Sequence, residues 1–184
     1  MKNKKKNIML GLIGGALLLT LIAIFMGFLN GITQSWTSGE YTGGGTIKFW
    51  DLIFNKTHEG KQVVDLLDGS NSVGLIVGFA FTILMILVLA TIFTLNFINK
   101  SNKKLNLGLM ICCCVILLVL GIIFIGAKGI CGIPDSSKQA FGETTIVEIK
   151  NKLEAGPICW SVFCFIADGC MIGATILNKK LYSK

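Results

Sequence analysis

Four long apolar blocks constrain this chain more than any other feature of its sequence. They cover residues 8–29, 73–97, 105–127 and 158–177, and only the fourth contains a charged side chain. A helix rises about 1.5 Å per residue and a bilayer core is about 30 Å thick, so roughly 20 apolar residues span a membrane. No block alternates strictly, and lipid requires backbone polar groups to pair within their own segment. We therefore predict an all-α membrane protein, a bundle of four transmembrane helices, with residues 1–184 forming a single membrane domain.

The composition supports this class. Apolar residues make up 53% of the chain and charged residues 15%, whereas a soluble domain carries about 25% charged residues. Because the Lys residues lie at the ends of the apolar blocks, the net charge of +7 indicates a lipid bilayer as partner and no nucleic acid. The first block is either a cleaved secretory signal or an anchor. Its length and the lack of a small-x-small cleavage site after it favour an uncleaved anchor.

The distribution of Lys predicts the orientation. All 17 basic residues are Lys. With a cytoplasmic N-terminus, the cytoplasmic segments hold ten Lys and no acid, while the longer loops 30–72 and 128–157 hold seven Lys and nine acids. Lys near membrane ends sets orientation. We therefore predict a plasma membrane protein with both termini cytoplasmic and a two-loop extracellular cap. The absence of Arg beside abundant Lys, Asn and Ile suggests an AT-rich bacterial genome.

The first outer loop is long for a connection and contains two short predicted helices. Gly43, Gly44 and Gly45 should break the chain before them. Residues 47–54 then place Ile47, Trp50 and Phe54 on one face, which suits an interfacial helix, with a strand as the alternative. A second helix is expected over residues 61–68.

A clearer helix is predicted in the second outer loop. Thr145 and Glu148 fit a capping box, and Ile146, Ile149 and Leu153 follow at helical spacing. Gly156 and Pro157 would end this helix.

Small and aromatic residues suggest how the helices pack and where the membrane ends. Trp36, Trp50 and Trp160 are predicted interface anchors. Glycines four residues apart let helix backbones approach closely, either within one bundle or between copies and partner subunits. These pairs are Gly11/Gly15, Gly74/Gly78 and Gly169/Gly173.

Seven cysteines raise the question of redox chemistry. Cys131 and Cys159 flank the second outer loop, so we expect either a disulfide that closes the loop or two free buried thiols. No C-x-x-C motif is present, which disfavours a membrane thiol oxidoreductase. The single His, His58, has no Cys or His near it in sequence, so we expect no metal site and no cofactor.

One acid, Asp168, lies near the middle of the fourth block. An intramembrane charge costs about 2.5–3.5 kcal/mol on insertion scales and normally faces a bundle interior or a cavity. Thr20 and Thr82 fall at a similar depth and offer hydrogen bonds. Asp168 is therefore either a protonated structural residue or a site for a cation or proton.

The predicted layout resembles the claudin-type tetraspan layout in its cytoplasmic termini, four helices and long first outer loop. Trp36 and Phe49-Trp50 are similar to that family's tryptophan-containing first loop, but the pair of Cys expected there is absent and the spacing differs. The resemblance concerns topology alone, and no functional residue is carried over from it.

These features favour a non-enzymatic multi-pass protein whose outer loops bind a protein partner or another copy. The alternative is a small channel or ion-coupled transporter subunit that uses Asp168. A membrane-embedded enzyme lacks support, since the sequence shows no nucleophile–base pair or metal motif.

Overall fold

The computed structural model describes residues 2–58, 61–67, 69–98, 102–139 and 146–182. The described chain is mostly helical, with a small sheet. Its elements, in chain order, are α1 (Lys2–Phe25), a 3-10 turn (Met26–Phe28), β1 (Asn30–Ser38), β2 (Tyr41–Lys48), α2 (Phe49–Ile53), β3 (Thr57–His58), β4 (Lys61–Gln62), α3 (Val63–Leu66), α4 (Val73–Phe97), α5 (Lys103–Ile125), α6 (Ala127–Ile130), β5 (Ser136–Gln139), β6 (Ile146–Leu153) and α7 (Ala155–Tyr182).

Four helices are long and apolar enough to cross a membrane, as the sequence predicts. The candidate spans are Asn3–Phe28, Val73–Phe97, Lys104–Ile125 and Ala155–Leu181. Large apolar side chains such as Leu18, Leu87 and Val115 remain more than half exposed on these helices. Contact with lipid tails accounts for such exposure in a chain of this class, because acyl chains are as apolar as the side chains themselves.

The all-α prediction is wrong, because the two predicted outer loops share one antiparallel sheet. The strand order is β2-β1-β6-β5. Strand β1 from the first loop pairs on one side with β2 and on the other with β6 from the second loop, so that Ile32 lies opposite both Ile47 and Leu153. Two loops separated by two membrane helices can pair in this way only if both lie on the same side of the membrane.

The capping-box helix predicted over Ile146–Leu153 is likewise wrong, since these residues form β6. Thr145 lies outside the described residues. Burial along the strand alternates: Val147, Ile149 and Leu153 are half-buried and Asn151 is buried, whereas the residues between them are exposed. Period-two alternation and β-branched residues favour a strand that pairs with β1, and this tertiary pairing overrides the helical spacing.

The three consecutive glycines do not break the first loop but lie inside β2. Gly43, opposite Trp36 on β1, lies under the indole, and a Cβ there would collide with the ring. A Cβ at Gly44 would collide with the carbonyl oxygen of Gln34. Gly43 therefore lets the Trp36 indole pack against β2, and Gly44 leaves room for the backbone of β1.

The two short helices predicted in the first loop exist but are shorter than expected. Helix α2 begins at Phe49, since Ile47 and Lys48 still belong to β2, and α3 covers only Val63–Leu66.

The chain divides into two compact units. The helical unit comprises Met1–Ile24, Phe79–Ile122 and Ser161–Lys184, and the sheet unit comprises Phe25–Gly78 and Ile123–Trp160. In the helical unit, the amides of Asn96 and Asn106 exchange two side-chain hydrogen bonds of 2.9 and 3.1 Å between α4 and α5. Ser161 on α7 donates to the carbonyl oxygen of Gly121 on α5 at 2.6 Å. These polar contacts join helices whose other buried residues are mainly apolar.

Candidate functional site

Aromatic rings form the centre of the sheet unit. Phe49 and Trp160 are fully buried and meet edge to face, with ring centroids 5.7 Å apart. Phe124 lies 4.6 Å from Trp160 and 5.9 Å from Phe49. Edge-to-face and offset pairs of this kind add stability beyond the apolar area that they bury.

A pocket of about 660 Å³ opens beside this cluster. It is lined by Phe28, Thr46, Ile47, Lys48, Trp50, Asp51, Phe54 and Lys56. The rings of Trp50 and Phe54 stack at 5.2 Å with only 3° between their planes, and Phe28 meets Trp50 at 5.9 Å. The end of β2, Trp50 and Asp51 of α2 and the turn after this helix thus converge on an aromatic concavity.

The charged groups of the pocket differ in how they are compensated. Lys56 forms an ion pair of 2.9 Å with Asp51. Lys48 is exposed at the end of β2, and no carboxylate of the described residues forms an ion pair with it. The pocket therefore presents aromatic faces beside one uncompensated positive charge.

The outer edge of β2 runs into the pocket. Strand β2 is the edge strand of the sheet, and among the described residues no strand pairs with its other side. Six of its eight residues are exposed. Thr46, Ile47 and Lys48 belong both to this edge and to the pocket lining, so the two features form one continuous surface, which we call the edge-and-pocket surface.

A group of polar contacts ties β6 to the segment that follows α6, both within the second loop. The Asp135 carboxylate accepts the backbone N–H of Asn151 at 2.7 Å and the Lys128 ammonium at 2.9 Å. The Asn151 amide also donates to the carbonyl oxygen of Pro134. The hydrogen bond from Asn151 and then the bond from Lys128 hold the pKa of Asp135 below its usual range.

All seven cysteines are free, so the predicted disulfide between Cys131 and Cys159 is wrong. Cys131 lies in the turn that follows α6, where its carbonyl oxygen accepts the N–H of Ser70 at 2.7 Å and its Oγ–H at 3.2 Å. These bonds fix the turn, and the side chain is buried at that position. Burial raises the pKa of the Cys131 thiol to about 11, which keeps it protonated and unreactive.

The predicted Trp anchors have different environments. Trp36 is 39% exposed on the sheet, and Trp50 is half-buried at the pocket. Trp160 is fully enclosed by protein, so it is a core residue of the sheet unit and not an interface anchor.

The glycines of the predicted pairs differ in how closely other residues pack against them. Gly74 and Gly78 are packed closely against Ile130 and Ile123, and Gly173 against Leu12. Gly11, Gly15 and Gly169 have open space where a Cβ would stand, so the contacts of this chain do not require them to be glycine.

Asp168 is buried in the helical unit. The Thr20 hydroxyl donates to Ala16 of its own helix at 2.8 Å. The Cys114 thiol of α5 lies beside Asp168 and 4.0 Å from the Thr175 hydroxyl, contacts that the sequence analysis did not identify. Thr82 is also fully buried.

Comparisons of this chain with protein-family models, with curated proteins and with solved structures found no match. Within the described residues, no group of three or more His, Cys, Asp or Glu side chains is placed to hold a metal ion.

Proposed function

We propose that this chain is a non-enzymatic multi-pass membrane protein whose sheet unit binds a protein on the outer side of the plasma membrane. One observation carries the proposal: the edge-and-pocket surface combines an open strand edge with an aromatic concavity. Peptide recognition by strand addition uses these two elements, since main-chain hydrogen bonds supply affinity and an adjacent pocket selects a side chain.

The two edges of the sheet support this interpretation. Exposed edge strands are aggregation hazards, and proteins normally protect them with charges, Pro or short length. Strand β5 follows this rule with four residues that include Lys138. Strand β2 has eight residues, and Tyr41–Ile47 contains neither a charge nor a Pro. A long unprotected edge is consistent with a binding partner that covers it.

The pocket supports the same function. Aromatic residues are enriched at protein interfaces, where they supply large contact areas at low conformational cost. Phe54 is 45% exposed, which is costly for a surface that meets only water. A partner side chain in the pocket would bury this ring beside Trp50.

The orientation remains part of the proposal. The Lys-poor, acid-containing loops supply β1, β2 and β6, while the segments with the highest Lys density lie at the start of α1, at the junction of α4 with α5 and at the end of α7. This arrangement supports an outward-facing sheet unit with both termini in the cytoplasm.

The proposal is tested by the mass of the protein extracted from its own membrane. Cross-linking in the membrane and extraction in mild detergent should yield an assembly larger than the 19.9 kDa chain. The double variant Lys48→Glu/Phe54→Ser should release the single chain, because it reverses the free charge and removes a stacked ring. Lys150→Glu, at an exposed Lys on β6, is the matched control and should leave the assembly intact. A wild-type protein that stays a single chain in the membrane would overturn the proposal.

A second candidate function is a channel or ion-coupled transporter subunit, and a specific observation favours it. Asp168, Met171, Thr175 and Asn178 recur at helical spacing on one face of α7. The Oδ1 atoms of Asp168 and Asn178 are both buried and accept no hydrogen bond from the described residues. Buried acceptors without donors are costly, and water or a cation would satisfy them.

Asp168→Asn separates this candidate from the first, because it keeps the size of the side chain and removes its charge. Flux of protons or monovalent cations in proteoliposomes that is present in wild type and lost in Asp168→Asn would establish transport. Equal behaviour of both proteins, with no flux, would exclude Asp168 as a transport residue.

A further inference from the structure

We propose that the edge-and-pocket surface binds the same surface of a second copy of this chain, with the two β2 strands pairing antiparallel across a two-fold axis. The inference rests on the proposed function and names the partner for that surface. Each copy contributes a four-stranded sheet, so the pair forms one continuous sheet of eight strands. A two-fold contact of this kind is isologous and closes on itself.

The register follows from the symmetry of the pair. Directly opposed residues of an antiparallel pair point to the same face of the sheet, and side chains alternate along each strand, so the two-fold axis must pass through a residue that opposes itself. Placing the axis at Gly45 sets Thr42 opposite Lys48 of the second copy, with Tyr41 next to it on the side of the pocket. Every contact occurs twice, once on each side of the axis.

The two ends of β2 are complementary in chemistry. One end carries Tyr41, which is 77% exposed, preceded by the exposed acid Glu40. The other end carries Lys48 and the aromatic pocket. Antiparallel pairing brings the exposed ring and the acid of one copy to the aromatic pocket and the positive charge of the other. Pairing with an unrelated protein would not require one strand to carry both the exposed ring and acid at one end and the pocket and positive charge at the other.

The glycines at the centre of the strand fit the same arrangement. Trp36 and Gln34 account for Gly43 and Gly44, but a Cβ at Gly45 would meet nothing within 4 Å. A glycine inside a strand costs stability and often marks close approach by another backbone or ligand. Glycine at this position lets the two β2 backbones approach each other closely at the axis.

Self-pairing requires that the free edge of β2 is not already covered by another strand of the same chain. The described strands meet this condition. Strand β1 pairs on both of its sides, and β6 lies between β1 and β5. Strand β2 alone offers a long free edge among the described strands of this sheet.

A charge-rescue experiment on the purified full-length chain tests the proposal by measuring its dimer affinity in detergent. Wild type should form a dimer. Thr42→Lys places like charges opposite Lys48 at both ends of the interface and should weaken the dimer roughly tenfold. Thr42→Lys/Lys48→Glu places opposite charges there and should restore it. Both residues are exposed, so the melting temperature of each variant serves as the folding control.

Cross-linking tests the register directly. In a background without the native cysteines, Thr42→Cys/Lys48→Cys should form an intermolecular disulfide on oxidation, because directly opposed Cβ atoms lie about 4.5–5.5 Å apart. Each single variant should form no disulfide, because the two introduced cysteines, one in each copy, lie at opposite ends of the paired strands.

The outcomes separate this inference from the function on which it rests. A purified chain that is monomeric, while the extracted native protein remains in a larger assembly, overturns the self-pairing and leaves recognition of a different protein. A dimer that is insensitive to Thr42→Lys, or whose Thr42→Cys/Lys48→Cys variant forms no intermolecular disulfide, also overturns it. Failure to assemble in both settings overturns the proposed function as well.

Discussion

Replacing Trp160 with Ala should be among the most destabilising changes in the sheet unit. The side chain is fully buried and contacts the rings of Phe49 and Phe124, as well as Trp50 at 6.1 Å. Its removal loses these ring contacts and leaves a cavity that the sheet unit fills poorly, which costs about 3–5 kcal/mol. For a chain of this length, that loss corresponds to a fall in melting temperature of roughly 6–20 °C.

Thermal unfolding in detergent can be followed through the buried cysteines, because a maleimide dye reacts with them only as the protein opens. Trp36→Ala is the matched control, since its indole is 39% exposed and its loss leaves no enclosed cavity. We expect this control to cost about 1–2 kcal/mol. Equal losses for the two Trp variants would refute the reasoning and would favour an interfacial position for Trp160.

Three further predictions follow from individual contacts. Asp135 has a lowered pKa, so its hydrogen bond to the Asn151 N–H should persist above about pH 4 and be lost as the pH falls through the pKa of the native carboxyl. Amide hydrogen exchange at Asn151 should accelerate in wild type when this bond is lost. The Asp135→Asn variant should show no such pH dependence. A double-mutant cycle of Asn96→Ala and Asn106→Ala should give a coupling of about 1 kcal/mol, and a coupling near zero would show that the two side-chain hydrogen bonds contribute nothing. Wild type and Cys131→Ser should migrate identically on reducing and non-reducing gels, whereas a shift in wild type alone would reinstate the loop disulfide.

The membrane helices could be predicted from the sequence because their signal is local. A run of about twenty apolar residues has few alternatives in lipid, and α4 occupies the residues predicted for it. The start of α1 and the end of α7 lie outside the predicted blocks because Lys-containing segments continue these helices.

The sheet could not be predicted with the same certainty because it depends on pairing between distant segments. The apolar residues of the segment 146–153 fit both a helical spacing and a period-two alternation. The segment forms a strand because β1 offers it a free edge to pair with, and that edge belongs to a distant part of the chain. The glycines of β2 look like a chain break unless the position of Trp36 over Gly43 is known.

The candidate site was predicted only in part. Trp50 and Phe54 were placed on one face of a short helix, which is the aromatic side of the pocket. The contribution of Lys48 through the end of β2, and the neighbourhood of Asp168 and Cys114, depend on tertiary packing that leaves no pattern in the sequence.

The most direct test of the account is the sidedness of the sheet unit. Single cysteines introduced at Thr37 and Glu148, in a background without the native cysteines, should react with a membrane-impermeant maleimide added to intact cells. Cysteines at Asn102 and Lys179 should react only after permeabilisation. This result would place β1 and β6 together on the outer surface, where they are available to a second copy or a partner. Labelling of Asn102 and Lys179 in intact cells, with Thr37 and Glu148 protected, would contradict the account, because the proposed recognition surface would then face the cytoplasm.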